Sequence, residues 1–194
     1  MASSTTPRSR DLGVPVPVVP PTGIPTGPDW SGTPGRRIQA TARILKNVIE
    51  VQAGSESWIA FPLASAQSPL GRAIASLFST RYEVRDPTAV DPVVATISYE
   101  IRRDEILIQV GEQKWRTRSA LFGPTLLEYG RHRYFLHEKI TGHFALLEED
   151  EVVARGQCRF RSVVLEDYPA EMERFLAQLA VGLLIRTLVS ELAL

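Results

Sequence analysis

The chain has 194 residues, of which 44% are hydrophobic and 23% charged, enough for one domain of ordinary size with a sizeable core. Its 22 basic and 22 acidic residues cancel, which speaks against a dedicated nucleic-acid binder, because phosphate recognition normally brings a strong basic excess. The single cysteine, Cys158, excludes an intrachain disulfide and fits a reducing compartment such as the cytoplasm.

Residues 1–36 read as a disordered Pro/Gly-rich tail. They hold more than half of the 14 prolines, their charges cancel, and no periodicity runs through them. The stretch Pro15-Val-Pro-Val-Val-Pro-Pro21 favours polyproline II, since proline fixes φ and donates no ladder hydrogen bond. A docking role for residues 15–21 toward a protein partner is one expectation, through the PxxP at Pro17–Pro20. The first ten residues faintly resemble a transit peptide, but Asp11 and the proline density weaken that reading, and no Sec-type apolar region follows.

From Arg36 the character turns to β. Strand signals fall at Ile38–Ala42, Val48–Ala53 and Ser57–Leu63. Ser68-Pro69 then opens one short helix over 69–79, with Ser as N-cap and Pro in the first turn. Strands resume at Arg81–Arg85, Val93–Ile101, Ile106–Val110, Lys114–Ala120, Thr125–Tyr129, Tyr134–Ile140, His143–Leu147, Val152–Arg161 and Ser162–Leu165. Short turn-like separators such as Gly111-Glu112 and Thr141-Gly142 join them, which describes successive antiparallel hairpins. No βαβ alternation occurs, so a parallel dinucleotide-binding sheet is disfavoured.

After Asp167-Tyr168-Pro169 the period becomes 3.6, with Asp167 as the expected cap. Large apolar residues from Phe175 to Leu194 wrap most of the circumference and leave a narrow polar stripe, Arg174–Gln178–Arg186–Ser190. A helix of that kind is buried in protein or in lipid. Residues 170–194 are long enough to span a bilayer, so a C-terminal tail anchor is one reading. Arg186 inside the run argues against lipid, where a central charge costs at least ~2.5 kcal/mol. The favoured reading is a mostly β fold (β+α): an antiparallel closed β-barrel over residues 37–194 around a buried apolar C-terminal helix, centred on Phe175, Leu179, Leu183, Arg186 and Leu188.

Three segments carry a family resemblance: Tyr134-Phe-Leu-His-Glu-Lys-Ile140, Phe144–Ala154 with its acidic turn, and Val163-Val-Leu-Glu-Asp-Tyr-Pro169 leading into the helix. Strands in this order before one very apolar C-terminal helix resemble the tubby C-terminal-like superfamily, which includes LURP-one-related proteins and phospholipid scramblases. The resemblance implies a closed barrel around a central helix, and association with phosphoinositides or other lipids. No loop with the Asp/Asn spacing of a calcium site occurs, so scramblase-like calcium dependence is not carried over.

The candidate ligand-binding residues are basic. Lys114, Arg116 and Arg118 alternate along one strand, and Arg131, Arg133 and Lys139 alternate nearby. If the strands are adjacent, the two sets merge into a cationic face for anionic phospholipid headgroups or another polyanion, and the protein sits at the membrane periphery. The competing reading is a solvated outer face paired with Glu112, Glu128 and Glu138. His132, His137 and His143 do not share a strand face, so no metal is expected; no cofactor or enzyme motif stands out, and a non-enzymatic role is expected. Nothing in the sequence bears on oligomeric state.

Overall fold

The structure is a computed structural model, which describes residues 36–63, 80–90, 92–119, 124–129 and 131–192. The helix expected over 69–79 lies outside the described residues, as does the tail expected over 1–36 except for its last residue, Arg36.

Twelve strands form the wall: β1 (Arg37–Arg43), β2 (Val48–Ala53), β3 (Glu56–Pro62), β4 (Arg81–Arg85), β5 (Val93–Glu100), β6 (Glu105–Val110), β7 (Gln113–Arg118), β8 (Thr125–Tyr129), β9 (His132–Glu138), β10 (His143–Glu148), β11 (Glu151–Arg159) and β12 (Ser162–Glu166). Each pairs antiparallel with its neighbours in sequence, and β1 closes the barrel on β12, from Arg37 opposite Glu166 to Thr41 opposite Ser162. Closure leaves no free edge among these strands. The alternation of sequence produces the wall directly: in β5, Ala95, Ile97 and Tyr99 are buried while the residues between them are not.

Turns are tight where the chemistry permits positive φ. Gly142, at φ +78, closes the β9–β10 turn, where an added Cβ would lie 2.4 Å from the Cys158 carbonyl oxygen. Asp104 and Glu149 take left-handed conformations in the β5–β6 and β10–β11 turns. Asp167 is also left-handed, at φ 58, and makes no cap: the helix entry is a 3-10 turn, Ala170–Met172, behind an extended Pro169 with no side-chain cap bond. The expected Asp167 cap is therefore corrected. Asp167 is spent on the left-handed turn out of β12, and the cap position falls to Pro169, whose side chain has no acceptor.

A barrel of this strand number is too wide to be filled by its own inward side chains. The filling is α1 (Glu173–Leu192), which packs against β1, β2, β5, β6, β11 and β12. Phe175 through Ile185 are all buried, so the helix has no solvent face over that stretch. Each large apolar side chain there contributes about 1.5–3 kcal/mol of burial before entropy. Gly182 is where helix and wall come closest: a Cβ there would meet Ile106 Cγ2 at 2.4 Å. Leu188 is only half-buried, because the helix nears the barrel rim there, and Ser190 is exposed. Among the described residues, no helix is long and apolar enough to cross a membrane. The segment considered as a tail anchor is this internal helix.

Distinct side-chain groups stand at the two ends of the helix. Where α1 enters, Phe175 stacks on Tyr129 at 4.7 Å between centroids, and Trp115 and Tyr134 complete the group. Where α1 leaves, Arg186 pairs with Glu138 of β9, and the Tyr99 hydroxyl donates to Asp104 at 2.9 Å.

Candidate functional site

β7, β8 and β9 are consecutive in the wall, so the two alternating basic sets come within one strand of each other. The register sets Arg116 opposite Glu128, and Glu128 opposite Arg133. Glu128 is the hub. Its Oε2 lies 3.5 Å from Arg118 Nη2 and its Oε1 lies 3.8 Å from Arg133 Nε. Both distances are long for charge-assisted hydrogen bonds, so the guanidinium forks keep donors for other acceptors. Arg116, Lys114 and Arg131 are exposed and make no ion pair among the described residues. Lys114 lies two residues before Arg116, toward the rim where the β8–β9 turn carries Arg131.

Five of the six expected residues thus share a region: Lys114, Arg116, Arg118, Arg131 and Arg133. Lys139 does not. It sits in the β9–β10 turn at the opposite end of β9 from Arg131, and it lines a separate recess of about 400 Å³ with Thr141 and Ala145. Strict alternation along β9 predicted a common face, but a strand of seven residues crosses the barrel from rim to rim. Of the expected neutralising acids, Glu128 pairs with two of the arginines, while Glu138 points into the barrel and pairs with Arg186.

The three histidines are dispersed. His132 Nδ1 lies 2.5 Å from Glu148 Oε1, and His143 Nε2 lies 3.2 Å from Gln157 Nε2. His137 is buried, which lowers its pKa, and its Nε2 has no partner among the described residues. Among the described residues no group of three or more His, Cys, Asp and Glu side chains could hold a metal ion. Cys158 faces inward, and burial pushes its thiol up to about 11, so it is a poor nucleophile at neutral pH.

The opposite side of the wall carries features that sequence reasoning did not single out. A groove of about 740 Å³ over β1–β3 is lined by Arg37, Arg43, Glu50 and Trp58, and a second of about 380 Å³ over β11, β12 and β1 by Arg37, His143, Arg159 and Glu166. These cations are offset: Arg43 Nε donates to Glu50 at 2.7 Å, which holds the Glu50 carboxyl below its usual range, and Arg37 pairs with Glu166 at 3.7 Å. Spacing along β1 could have suggested the arginines. Their pairing with acids on β2 and β12 needed the register.

The chain matches no known protein-family model, and no curated protein or solved structure was found to be similar to it.

Proposed function

We propose that this is a non-enzymatic barrel module that associates with an anionic phospholipid surface through the outer face of β7–β9. The observation that carries the reading is that Arg118 and Arg133 share the single carboxylate of Glu128, with Arg116 opposite Glu128 in register and Lys114 and Arg131 beside them and exposed. Among the described residues of 112–133, five bases stand against two acids, Glu112 and Glu128, which leaves this face cationic although the chain as a whole is neutral. A curved wall with several guanidinium forks suits phosphate oxygens in a plane better than one enclosed ligand. The resemblance to the tubby C-terminal-like superfamily points to the same class of partner, and the protein would then be cytoplasmic and peripheral to the membrane.

The test is flotation of the full chain with phosphatidylserine-containing vesicles, beside neutral phosphatidylcholine vesicles. Each basic residue near an anionic surface contributes about 1 kcal/mol. The triple variant Arg116→Ala/Arg118→Ala/Arg133→Ala should therefore bind roughly a hundredfold more weakly, and raising salt should weaken the wild type in step. Arg37→Ala/Arg43→Ala, on the opposite face, should leave flotation unchanged. A full chain that does not float with anionic vesicles at low salt would remove the reading; so would a triple variant that floats as well as wild type.

A further inference from the structure

The barrel has two unlike ends. Every strand pairs antiparallel with its sequence neighbours, so the connections that follow β1, β3, β5, β7, β9 and β11 share one rim. Those that follow β2, β4, β6, β8 and β10 share the other. Exposed large apolar side chains gather on the first rim: Ile44 and Leu45 after β1, Leu63 after β3, Ile101 after β5, Ile140 after β9 and Phe160 after β11. Leu45 and Ile140 are fully exposed. In the described turns of the second rim, Val90 is the sole exposed large apolar side chain. Apolar residues scattered singly over a surface need no explanation, but a set gathered at one end does.

Charge follows the same division. The described turns of the first rim carry Lys46, Arg102, Arg103, Lys139 and Arg161 against one acid, Asp104, whose carboxylate accepts from the Tyr99 and Ser119 hydroxyls. Glu191, at the helix end, is exposed at this rim as well. Lys46 pairs with Glu50 at 3.5 Å and Arg103 with Glu100 at 3.6 Å, while Arg102 and Lys139 make no ion pair among the described residues. The described turns of the second rim are acidic, with Asp86, Glu112, Glu149 and Asp150 against Arg131. Closed turns hold the apolar tips outward: Gly142 N–H donates to the Lys139 carbonyl at 2.9 Å around Ile140, and Asn47 N–H to the Ile44 carbonyl at 3.1 Å around Leu45.

We propose that the first rim seats end-on in the interface of an anionic bilayer, with Leu45, Ile101, Ile140 and Phe160 at the acyl boundary and the neighbouring bases among the lipid phosphates. This docking rests on the reading above for its partner but uses other residues. The basic outer face of β7–β9 steers the approach, and the rim fixes depth and orientation. An apolar side chain next to a base on the same tip matches an interface that is apolar below and anionic above. The acidic rim then faces away from headgroups of its own sign. A second copy docked rim to rim would oppose like charges, and one docked head to tail would offer Val90 alone to the apolar tips.

Nitrobenzoxadiazole probes on the full-length protein test the insertion. Attached through Leu45→Cys or Ile140→Cys, the probe should shift to the blue on phosphatidylserine-containing vesicles and be quenched by nitroxide lipids. Attached through Val90→Cys it should do neither, and wild type treated alike gives the Cys158 blank. Flotation of Leu45→Asp/Ile140→Asp, both changes at exposed sites, should weaken roughly tenfold or more. A protein that floats while the probes at 45 and 140 stay in water would overturn the rim docking and leave the β7–β9 reading standing. So would a double variant that floats as well as wild type, and one that loses only self-association in sedimentation would assign the tips to a second copy instead. Conversely, an Arg116→Ala/Arg118→Ala/Arg133→Ala variant that floats undiminished with inserted probes would remove the β7–β9 reading and leave the rim. Wild type that does not float would remove both.

Discussion

Replacing Gly182 by alanine tests whether the helix is fitted to the wall or merely enclosed by it. In a helix with free space, Gly→Ala stabilises by about 1 kcal/mol, because alanine has less backbone entropy to lose. Here the new Cβ would fall 2.4 Å from Ile106 Cγ2, against an ordinary carbon contact of about 3.5–4.0 Å. More than an ångström of displacement is needed, and both partners are locked: Ile106 is 1% exposed in β6, and Leu183, next to Gly182, is fully buried. Overpacking of this kind costs about 1–3 kcal/mol, which offsets the helix gain and leaves a net loss of about 0–2 kcal/mol. Urea unfolding of Gly182→Ala should show a lowered midpoint with an unchanged slope. Ile106→Leu removes the branch methyl that makes the clash, so in that background Gly182→Ala should recover at least ~1 kcal/mol of coupling. If Gly182→Ala alone stabilises by the full propensity term, the close approach is not real and the argument fails.

The rim pair and the buried imidazole give further expectations. Arg186 is 14% exposed and Glu138 34%, so removing one partner alone, as in Glu138→Leu, should cost ~1–3 kcal/mol after discount for solvent. The double variant Glu138→Leu/Arg186→Met should recover much of it; a double variant worse than the sum of the two singles would show that the pair is not the relevant interaction. Burial lowers the pKa of His137, so the unfolded chain takes up a proton first as pH falls, and stability is lost below about pH 6.5. Replacement by His137→Gln should flatten that acid limb in thermal melts, and an unaltered limb would mean another group controls it. At high pH the sign reverses. Tyr134 and Tyr168 are pushed up to about 12, chiefly by burial, so the folded chain holds protons that the unfolded chain releases, and stability declines above about pH 10.

Much of the wall was legible because alternation is a local property. The bounds of β2, β4 and β8 follow directly from their apolar–polar period and their turn residues, and the other strands shift by one or two positions where a turn borrows an end. The helix announced its burial through its all-round apolar composition, and Arg186 told against lipid. Less visible was the meaning of two runs without alternation, Tyr134-Phe-Leu-His and Phe144-Ala-Leu-Leu, where every residue is buried. Such runs mark strands covered on both faces. The sequence held that signal, but period alone could not say what lies outside the wall.

The amino-acid sequence by itself determined which residues face which way along each strand, where the turns fall, and that one helix needs a protein interior. These depend on neighbours a few residues apart. Only the tertiary structure decided which faces meet. It set Arg118 and Arg133 on Glu128 with Arg116 opposite in register, sent Lys139 to the other rim, paired Glu138 with Arg186, and closed Arg37 of β1 on Glu166 of β12. Those relations are set by register and closure, which bring together residues as far apart as Arg37 and Glu166. A one-residue slip would reverse every one of them without changing the local pattern.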